Sequence, residues 1–209
     1  MPKSSPSKSG PRHIVLGSTS RARREMLTSA GVAFTVEAAD VDEPAIRKDI
    51  LARGAKFDAG AIAEVLARAK AENVSQHHAG SLVIGADQVL ALGEELLTKP
   101  KDAADARAAL KKLRGKTHEL HSAVAFAVDG AIVWSHVATA RLTMRAFTDA
   151  FLEDYLVRAG DRITHSVGGY ELEGLGVQLF EKIEGDYFTI LGLPLLPVLN
   201  ELRERGMVL

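Results

Sequence analysis

Hydrophobic and polar residues follow one another along this chain in two periods, which predict short buried strands separated by amphipathic helices. An apolar run at residues 13–17 predicts the first strand, and the helix predicted at residues 21–30 ends at Gly31, which suits a C-cap. The other strands that the pattern predicts lie at residues 34–38, 81–92, 119–128, 131–142 and 177–183. The other predicted helices lie at residues 58–73, 103–113 and 147–159, and a last one begins near Pro194.

The alternation of these elements predicts an α/β fold (mixed α+β) with a mixed sheet. Residues 129–130 are Asp-Gly between two predicted strands, a pair that favours a tight hairpin. The chain has 209 residues, of which 46% are hydrophobic, enough for one domain that we place at residues 13–209. Residues 1–12 are rich in Ser, Pro, Lys and Gly and lack the apolar core of a signal peptide, so we expect a disordered tail there.

The composition narrows the classes of function. The formal net charge is −1, so we expect no overall attraction to nucleic acid or to an anionic membrane. No apolar run reaches the length of a membrane span. Cysteine is absent, which excludes disulfides, thiolate nucleophiles and Cys-ligated zinc and agrees with a cytoplasmic location.

The first candidate for chemistry is the run at residues 18–24 (STSRARR), which follows a predicted strand and begins a helix. Free backbone N–H groups at a helix start, with hydroxyls beside them and arginines in the first turns, suit a chain of phosphates. The run is not a Walker loop, because the GxxxxGK[ST] pattern occurs nowhere in the chain. The alternative is a serine N-cap followed by solvated arginines.

Asp87 is the second candidate, because it interrupts an apolar strand. A carboxylate in such a strand is costly unless it is paired, metal-bound or catalytic, and Gly85 beside it lets a ligand or another backbone approach closely. The alternative is an aspartate at the end of a strand that faces water. Lys99, after this strand, and Lys70, on the preceding helix, carry little weight individually, because single lysines are usually solvated.

The third candidate is the segment at residues 168–174 (GGYELEG), in which paired glycines precede alternating acids. Its alternative is a tight turn that enters an edge strand. The motifs GxSxG, HExxH and GxGxxG are absent, which argues against the common hydrolase, zinc and dinucleotide sites. His118 and His121 are three residues apart on a predicted strand, so they should face opposite sides and make a poor metal pair.

Taken in order, these features resemble the Maf family of nucleotide pyrophosphatases from residue 13 to residue 205. The matching segments are LGSTS at 16–20, RR at 23–24, VIGAD at 83–87, KP at 99–100, GKTH at 115–118, GGY at 168–170, EGDY at 184–187 and GLP at 192–194. Each segment is short, but their order and spacing make the resemblance specific. It implies a mixed α/β fold with two lobes around a deep cleft, usually built as a homodimer.

The resemblance also implies an activity, the hydrolysis of a nucleoside triphosphate between its α and β phosphates. The supporting cofactor is a divalent cation, Mg²⁺ in the first place with Mn²⁺ or Co²⁺ as alternatives. Asp87 matches the family's catalytic aspartate, the base that activates water. Glu43 matches an acidic residue near the metal or the base, so Glu43 and Asp87 are the expected metal ligands. The residues that match positions thought to hold the triphosphate are Ser18, Arg23, Lys70 and Lys99.

Two positions of the family vary together between its branches. Thr after the catalytic aspartate, with Gln before the glycine that closes the GGY segment, marks the branch that uses dTTP and UTP. Gln with Glu marks the branch resembling 7-methyl-GTP pyrophosphatases, and this chain has Gln88 and Glu173. The chain departs from that branch at Ala22, where Trp is common. It departs from the wider family at Arg21 and Ser166, where Pro and Lys are common.

Two other functions fit the same residues. Maf proteins were first associated with septum formation and division arrest, so the chain is alternatively a nucleotide-binding regulator of cell division without significant turnover. Asp87 argues against pure binding, since a carboxylate that faces a triphosphate weakens affinity unless a metal or catalysis requires it. A nucleotidyltransferase would share the cleft and the metal but would use an acceptor other than water.

Overall fold

The computed structural model describes residues 13–52 and 58–209, so the predicted tail at residues 1–12 lies outside the described residues. The strands are β1 (Ile14–Gly17), β2 (Thr35–Val36), β3 (Leu82–Leu92), β4 (Glu95–Leu97), β5 (Thr117–Val128), β6 (Ala131–Met144) and β7 (Phe180–Glu184). The helices are α1 (Arg21–Ser29), α2 (Glu43–Ala52), α3 (Ala59–Ser75), α4 (Ala103–Leu113), α5 (Asp149–Ala159), α6 (Tyr187–Ile190) and α7 (Leu195–Glu204). Short 3₁₀ helices at Gly160–Thr164, Val167–Gly169 and Leu175–Leu179 lie between α5 and β7. In this part of the chain no helix is long and apolar enough to cross a membrane.

The sheet is mixed, as predicted, and its strands follow the order β2-β1-β3-β5-β6-β7, with β4 also paired to β3. β1 runs parallel to β2 and β3, whereas the pairs β3–β5, β5–β6 and β6–β7 are antiparallel. Asp129 and Gly130 connect β5 to β6 with φ values of 50° and 78°. Positive φ at both central residues is what a two-residue type I′ hairpin requires, so the predicted hairpin is confirmed.

One edge of β3 is covered by two different strands with an interval between them. β1 pairs with this edge up to Gly17, which lies opposite Gly85. β4 pairs with it from Leu90, which lies opposite Leu97, while β5 occupies the other edge of β3. The stretch at residues 86–89 therefore has neither β1 nor β4 on its outer side. We call this stretch the open edge of β3.

Helix α3 packs closely on one face of the sheet because small residues meet there. A Cβ placed on Gly85 would lie 2.3 Å from the carbonyl oxygen of Ala67 and 2.5 Å from the backbone nitrogen of Ala71. A side chain at this position would therefore push the helix away from β3. The glycine serves the approach of another backbone segment, and it brings Lys70 of α3 close to Asp87 of β3.

The opposite face of the sheet carries two separate hydrophobic clusters, which form two lobes. Leu82, Ile84 and Ala86 belong to the cluster with α1 and α7, whereas Leu90 belongs to the cluster with α4 and α5. Gln88 lies between them on the same face, because side chains two residues apart share a face of a strand. This polar residue divides the apolar run of β3, and the cleft between the lobes opens there.

The chain before β7 differs from the sequence prediction. The apolar pattern at residues 177–183 predicts one continuous strand, and this prediction is wrong in its first half. Leu175–Leu179 forms a 3₁₀ helix, and the strand begins at Phe180. The chain returns tightly just before this segment, where a Cβ on Gly176 would lie 2.4 Å from the carbonyl oxygen of Glu171. The helical turn then continues, because the backbone N–H of Phe180 donates to the carbonyl of Val177 and residues 177–179 are not extended.

A buried histidine connects β5 to the segment between α5 and β7. His118 is 1% exposed, and its Nε2 lies 2.7 Å from the hydroxyl of Tyr170. Its Nδ1 is buried without a hydrogen-bond partner among the described residues. Burial lowers the pKa of His118 to about 4. His121 lies on the other face, where its Nδ1 is 3.0 Å from the hydroxyl of Thr139, so the two histidines face opposite sides as predicted.

We expect His118 to make the stability of the fold depend on pH between about 6.5 and about 4. The imidazole titrates near 6.5 in an unfolded chain and near about 4 when folded. The unfolded state therefore binds more protons in this range, and stability rises with pH. The stability that the neutral His118 contributes is fully present above about pH 6.5 and is lost as the pH falls through about 4.

Urea unfolding of the wild type and of His118→Asn at pH 7 and pH 4.5 measures this effect. The difference in unfolding free energy between the two proteins should shrink by about 2 kcal/mol at the lower pH. Comparison with the variant removes the contribution of other titrating groups. A difference that does not change with pH would show that His118 is not the source.

Candidate active site

The open edge of β3 faces a cleft of about 1170 Å³ between the two lobes. Its walls come from the turn between β1 and α1, the start of α2, the middle of α3, and the segment between α5 and β7. The residues singled out from the sequence all line it: Ser18, Ala22, Arg23, Glu43, Lys70, Asp87, Gln88, Lys99 and Glu173. The structure thus brings these residues into one cleft, and their individual roles stay predictions.

Asp87 is a buried carboxylate on the α3 face of the sheet. The residue is 4% exposed, and Lys70 Nζ donates a hydrogen bond to its Oδ1 over 2.7 Å. Its Oδ2 is buried and has no hydrogen-bond partner in the described part of the chain. The alternative of a strand-end aspartate that faces water is therefore wrong. One carboxylate oxygen is thus held by Lys70, and the other makes no hydrogen bond to the described residues.

Lys70 also contacts a second carboxylate. Its Nζ lies 2.6 Å from Glu43 Oε1, so one ammonium group joins the start of α2 to β3. Burial alone would raise the pKa of Glu43. The hydrogen bond and charge of Lys70 lower it, as do the charges of Arg47 and Arg23, and these effects together bring the pKa of Glu43 below its ordinary value. Glu43 is therefore ionised at neutral pH, as a metal ligand must be.

The two carboxylates fit the divalent cation that the family resemblance implies. Mg²⁺ prefers oxygen ligands and is usually bound by one or two carboxylates together with substrate phosphates and water. Glu43 and Asp87 supply two carboxylates, and Asp87 Oδ2 accepts no hydrogen bond from the described residues. Among the described residues no group of three or more His, Cys, Asp or Glu side chains could hold a metal. A metal held here would depend on phosphate oxygens for further ligands.

Arg23 is buried, and its guanidinium joins three parts of the cleft wall. Its Nε donates to the carbonyl of Gly192 over 2.8 Å, and its Nη1 donates to the carbonyl of Ala86 over 2.9 Å and to Ser18 Oγ over 3.1 Å. Ala86 lies on the open edge of β3, so the arginine satisfies a carbonyl that faces no strand. Burial lowers the pKa of Arg23. The charges of Asp87 and Glu43 raise it, but by less than burial lowers it. The sequence did not indicate this positioning role.

Some residues at the start of α1 fit the predicted phosphate site, and others fit the alternative of a serine cap with solvated arginines. Ser20 is the N-cap, and its Oγ accepts from the backbone N–H of Arg23 at 3.4 Å. The side chain of Arg21 is 75% exposed and pairs with Glu25 at 2.6 Å. These two residues match the alternative of a capping serine and a solvated arginine. Arg23 and Ser18 do not, because both are buried against the cleft.

Gln88 is anchored on the face of the sheet opposite Asp87. Its Nε2 lies 2.9 Å from Ser122 Oγ, 3.1 Å from the carbonyl oxygen of Thr189 and 3.0 Å from that of Ile190. Carbonyl oxygens only accept, so these contacts fix which end of the amide faces them. The Oε1 of Gln88 is left as an acceptor for a ligand in the cleft.

Glu173 lies on the wall opposite α1 and is exposed to the cleft. The pKa of Arg21 is raised by the hydrogen bond and charge of Glu25 and, to a smaller extent, by the charges of Glu171 and Glu173. The acidic segment therefore faces the start of α1 across the cleft. Ala22, the next residue of α1, is half-buried and presents no aromatic surface there.

The GGY segment turns the chain but does not enter a strand, so the edge-strand alternative is wrong. Gly168 and Gly169 adopt φ values of 82° and 78°, which favour glycine. Tyr170, which follows them, is buried, and β7 begins only at Phe180. Ser166, which stands where many family members carry Lys, donates its hydroxyl to the carbonyl of Tyr170. Ser166 thus stabilises the turn.

Sequence reasoning missed helix α2 and the arginine that it carries. Arg47 lies one turn after Glu43, and its Nη2 is 3.3 Å from Glu43 Oε2 and 3.8 Å from Asp87 Oδ2. The signals that indicate this helix are a cap by Asp42 and the partly buried pair Ile46 and Ile50 at helical spacing. Arg47 is therefore a further functional candidate in the cleft.

The fold and the cleft define a class of protein, an α/β protein whose cleft brings carboxylates and basic side chains together. The buried Asp87 and the half-exposed Glu43 meet basic side chains at the open edge of a strand, with a separate polar wall on the other side. The model of the family described as Maf-like protein matches residues 13–205. The chain belongs to this family, so the resemblance seen in its sequence is confirmed.

Relatives that match almost the whole chain carry pyrophosphatase names. The 7-methyl-GTP pyrophosphatase of Rhizobium johnstonii is 52% identical over 195 residues, which cover 93% of this chain and 97% of that protein. The nucleoside triphosphate pyrophosphatase of Bradyrhizobium diazoefficiens is 51% identical over 199 residues, which cover 95% of this chain and 96% of that protein. The 7-methyl-GTP pyrophosphatase of Brucella abortus is 49% identical over 195 residues, with coverage of 93% and 97%.

We expect Arg23→Ala to lower the unfolding free energy by about 3 kcal/mol, because it leaves the buried carbonyls of Ala86 and Gly192 without their donor at roughly 1–3 kcal/mol each. Arg21→Ala removes the same side chain from the same helix but from an exposed position, and should change stability by less than about 0.5 kcal/mol. Urea unfolding measures both variants. Equal stability of the two would contradict the positioning role of Arg23.

Proposed function

We propose that this chain hydrolyses a nucleoside triphosphate to the nucleoside monophosphate and pyrophosphate. The observation that carries the proposal is the state of Asp87. This buried carboxylate has one oxygen bound to Lys70 and the other without a hydrogen-bond partner in the described ranges, and it lines the cleft. The pyrophosphatase names of relatives about half identical to this chain support the same reaction.

Asp87 acts as the general base in this proposal. Water attacks the α-phosphorus, the proton of this water passes to the Asp87 carboxylate, the bond from the α-phosphorus to the bridging oxygen breaks, and pyrophosphate leaves. Lys70 holds Oδ1 at 2.7 Å and so fixes the orientation of the carboxylate. A base positioned in this way contributes roughly 10²- to 10⁴-fold to the rate.

The basic residues of the cleft stabilise the triphosphate and the leaving pyrophosphate. Lys99 is exposed beyond β4, at the far end of the open edge, where its ammonium can reach a phosphate. Ser18, Arg23 and Lys70 contribute from the walls. Glu43 and Asp87 would hold the divalent cation, Mg²⁺ or alternatively Mn²⁺ or Co²⁺. When bound, this cation supplies positive charge to the phosphate oxygens.

A regulator that binds nucleotides without turnover is not favoured. Such a protein would bind a triphosphate more tightly with a neutral residue in place of Asp87. The relatives described above are named for pyrophosphatase activity. A nucleotidyltransferase is distinguished by reaction in ¹⁸O-labelled water, because hydrolysis at the α-phosphorus places the label in the monophosphate and transfer to another acceptor does not.

The proposal extends to the base of the nucleotide, for which 7-methylguanine is the best fit. Gln88 Oε1 and the Glu173 carboxylate both accept hydrogen bonds, and the guanine edge presents N–H donors. Methylation of the seventh ring nitrogen adds a positive charge that the carboxylate attracts. Ala22 provides no aromatic platform, which forfeits a cation–π contact of about 1–2 kcal/mol. The preference is therefore modest.

The proposal also includes a homodimer that works in the cytoplasm on free nucleotides, without nucleic acid or membrane partners. The dimer and the compartment rest on the family resemblance. The formal net charge of −1 gives no general attraction to polyanions. Light scattering of the purified protein measures the number of subunits directly.

We expect Asp87→Asn to reduce kcat at least about 10²-fold, because the amide keeps the shape of the side chain but cannot accept the proton. Pyrophosphate release measures turnover, and circular dichroism checks that the variant is folded. Asp154→Asn is the matched control, since Asp154 is an exposed aspartate of α5 that pairs with Arg158 outside the cleft. If Asp87→Asn keeps more than about a tenth of the wild-type kcat, Asp87 is not the general base.

We expect 7-methyl-GTP to exceed dTTP and UTP in kcat/KM, and Glu173→Gln to shrink this preference, because it removes the negative charge that attracts the methylated base. Glu181→Gln is the control, an identical change on exposed β7 outside the cleft. Steady-state kinetics with the three nucleotides measure the preference. A wild type that prefers dTTP, or a preference unchanged in Glu173→Gln, would contradict this assignment of the base.

A further inference from the structure

Four charged side chains form a closed ring at the open edge of β3. Lys70 Nζ lies 2.6 Å from Glu43 Oε1 and 2.7 Å from Asp87 Oδ1. The second oxygen of each carboxylate is the one nearest Arg47, whose Nη2 lies 3.3 Å from Glu43 Oε2 and 3.8 Å from Asp87 Oδ2. The contacts of the carboxylates with the lysine are therefore shorter than their contacts with the arginine.

Arg47 pairs with a glutamate one turn away on its helix, as Arg21, Arg68 and Arg205 do, but it also lies near a second carboxylate, that of Asp87. Its side chain is 20% exposed, against 75%, 47% and 25% for those three arginines. Its Nε is buried without a hydrogen-bond partner among the residues described. Burying an unsatisfied donor costs free energy, so the attraction of the two carboxylates must offset this cost.

Within the ring two cations face two anions, and the buried Arg23 adds a further positive charge that acts on both carboxylates. The carboxylate oxygens that do not contact the lysine in the tight pairs are Asp87 Oδ2 and Glu43 Oε2, and Arg47 Nη2 lies within 3.8 Å of each. A divalent cation bound to these oxygens would lie close to the guanidinium, and like charges at this range repel strongly. A triphosphate changes the balance, because its phosphate oxygens offer the guanidinium another anionic partner.

We propose that Arg47 is an internal counter-ion that keeps divalent cations out of the nucleotide-free site, so that the metal enters together with the nucleotide. Arg47 acts through the two carboxylates and is a positioning residue rather than a catalytic one. The inference rests on the proposed function for the ligands of the site. The exclusion of metal is a property of the free protein and does not require turnover.

Binding of Mn²⁺ to the nucleotide-free protein, followed by the electron paramagnetic resonance signal of free Mn²⁺, tests this inference. Arg47→Met should tighten Mn²⁺ binding by roughly tenfold or more, because it removes one of the positive charges near the doubly charged ion and leaves that of Lys70. Arg47→Lys keeps the charge, and its affinity should stay within about threefold of the wild type. Helix α2 has no fully buried residue, so we expect these variants to fold, and circular dichroism checks this. Arg47→Gln replaces Arg47→Met if the latter does not fold.

Arg68→Met is the matched control, since it removes one arginine charge from an i,i+4 pair on α3 outside the cleft. Screening by solvent and salt should leave its Mn²⁺ affinity within about twofold of the wild type. A double variant then locates the ion, because Asp87→Asn added to Arg47→Met should abolish the gain in affinity.

Two results would overturn the inference. One is Arg47→Met binding Mn²⁺ no more tightly than Arg68→Met, and the other is a gain that survives Asp87→Asn. Because Mn²⁺ binding is read without substrate, a wild type that releases no pyrophosphate from nucleotides would refute the proposed function and would leave this result intact.

Discussion

The architecture of the cleft depends on one interruption in the sheet, the stretch at residues 86–89 that neither β1 nor β4 covers. Backbone groups exposed in this way need partners, and Arg23 provides one for the carbonyl of Ala86. Successive side chains of a strand point to opposite faces. The side chains of Asp87 and Gln88 therefore point to opposite faces of the sheet at this opening, that of Asp87 toward α3 and that of Gln88 toward α6. A single uncovered strand edge thus gives the cleft two chemically different walls.

On the α3 wall, packing and electrostatics support each other. Gly85 lets the helix backbone come close enough for Lys70 to reach Asp87, and a Cβ at that position would collide with it. Without the lysine, a buried aspartate would be an unpaired charge with a large desolvation cost. With it, the carboxylate has a paired charge while one oxygen is still free of hydrogen bonds to the described residues. The same ammonium holds Glu43, so two carboxylates that would repel one another lie side by side.

The sequence predicted the features whose signal is local, and it missed those that depend on distant residues. Asp87 could be found because its apolar neighbours make a carboxylate conspicuous, and the hairpin because residues 129–130 suit only a tight turn. The buried role of Arg23 comes from carbonyls 63 and 169 positions further along the chain, which no local pattern contains. Arg47 has the local pattern of a surface pair, and its burial follows only from the position of α2 beside β3. The strand expected at residues 177–183 is shortened by a local 3₁₀ helix, Leu175–Leu179, whose apolar residues also fit the pattern of a strand.

The separation of the two walls has a consequence for how the family diversifies. The groups that would move the proton lie on the α3 side, whereas Gln88 is fixed on the other side by carbonyls of α6 and Glu173 stands apart on the segment between α5 and β7. In the proposed function, a change away from the α3 side, such as Ala22 in place of an aromatic residue, therefore alters contacts with the nucleotide base without changing the charges around Asp87. Relatives named for 7-methyl-GTP and for nucleoside triphosphates in general are about equally identical to this chain. In the proposed function, a preference for one base therefore depends on a few side chains of the cleft, such as Gln88 and Glu173, and not on identity over the whole chain.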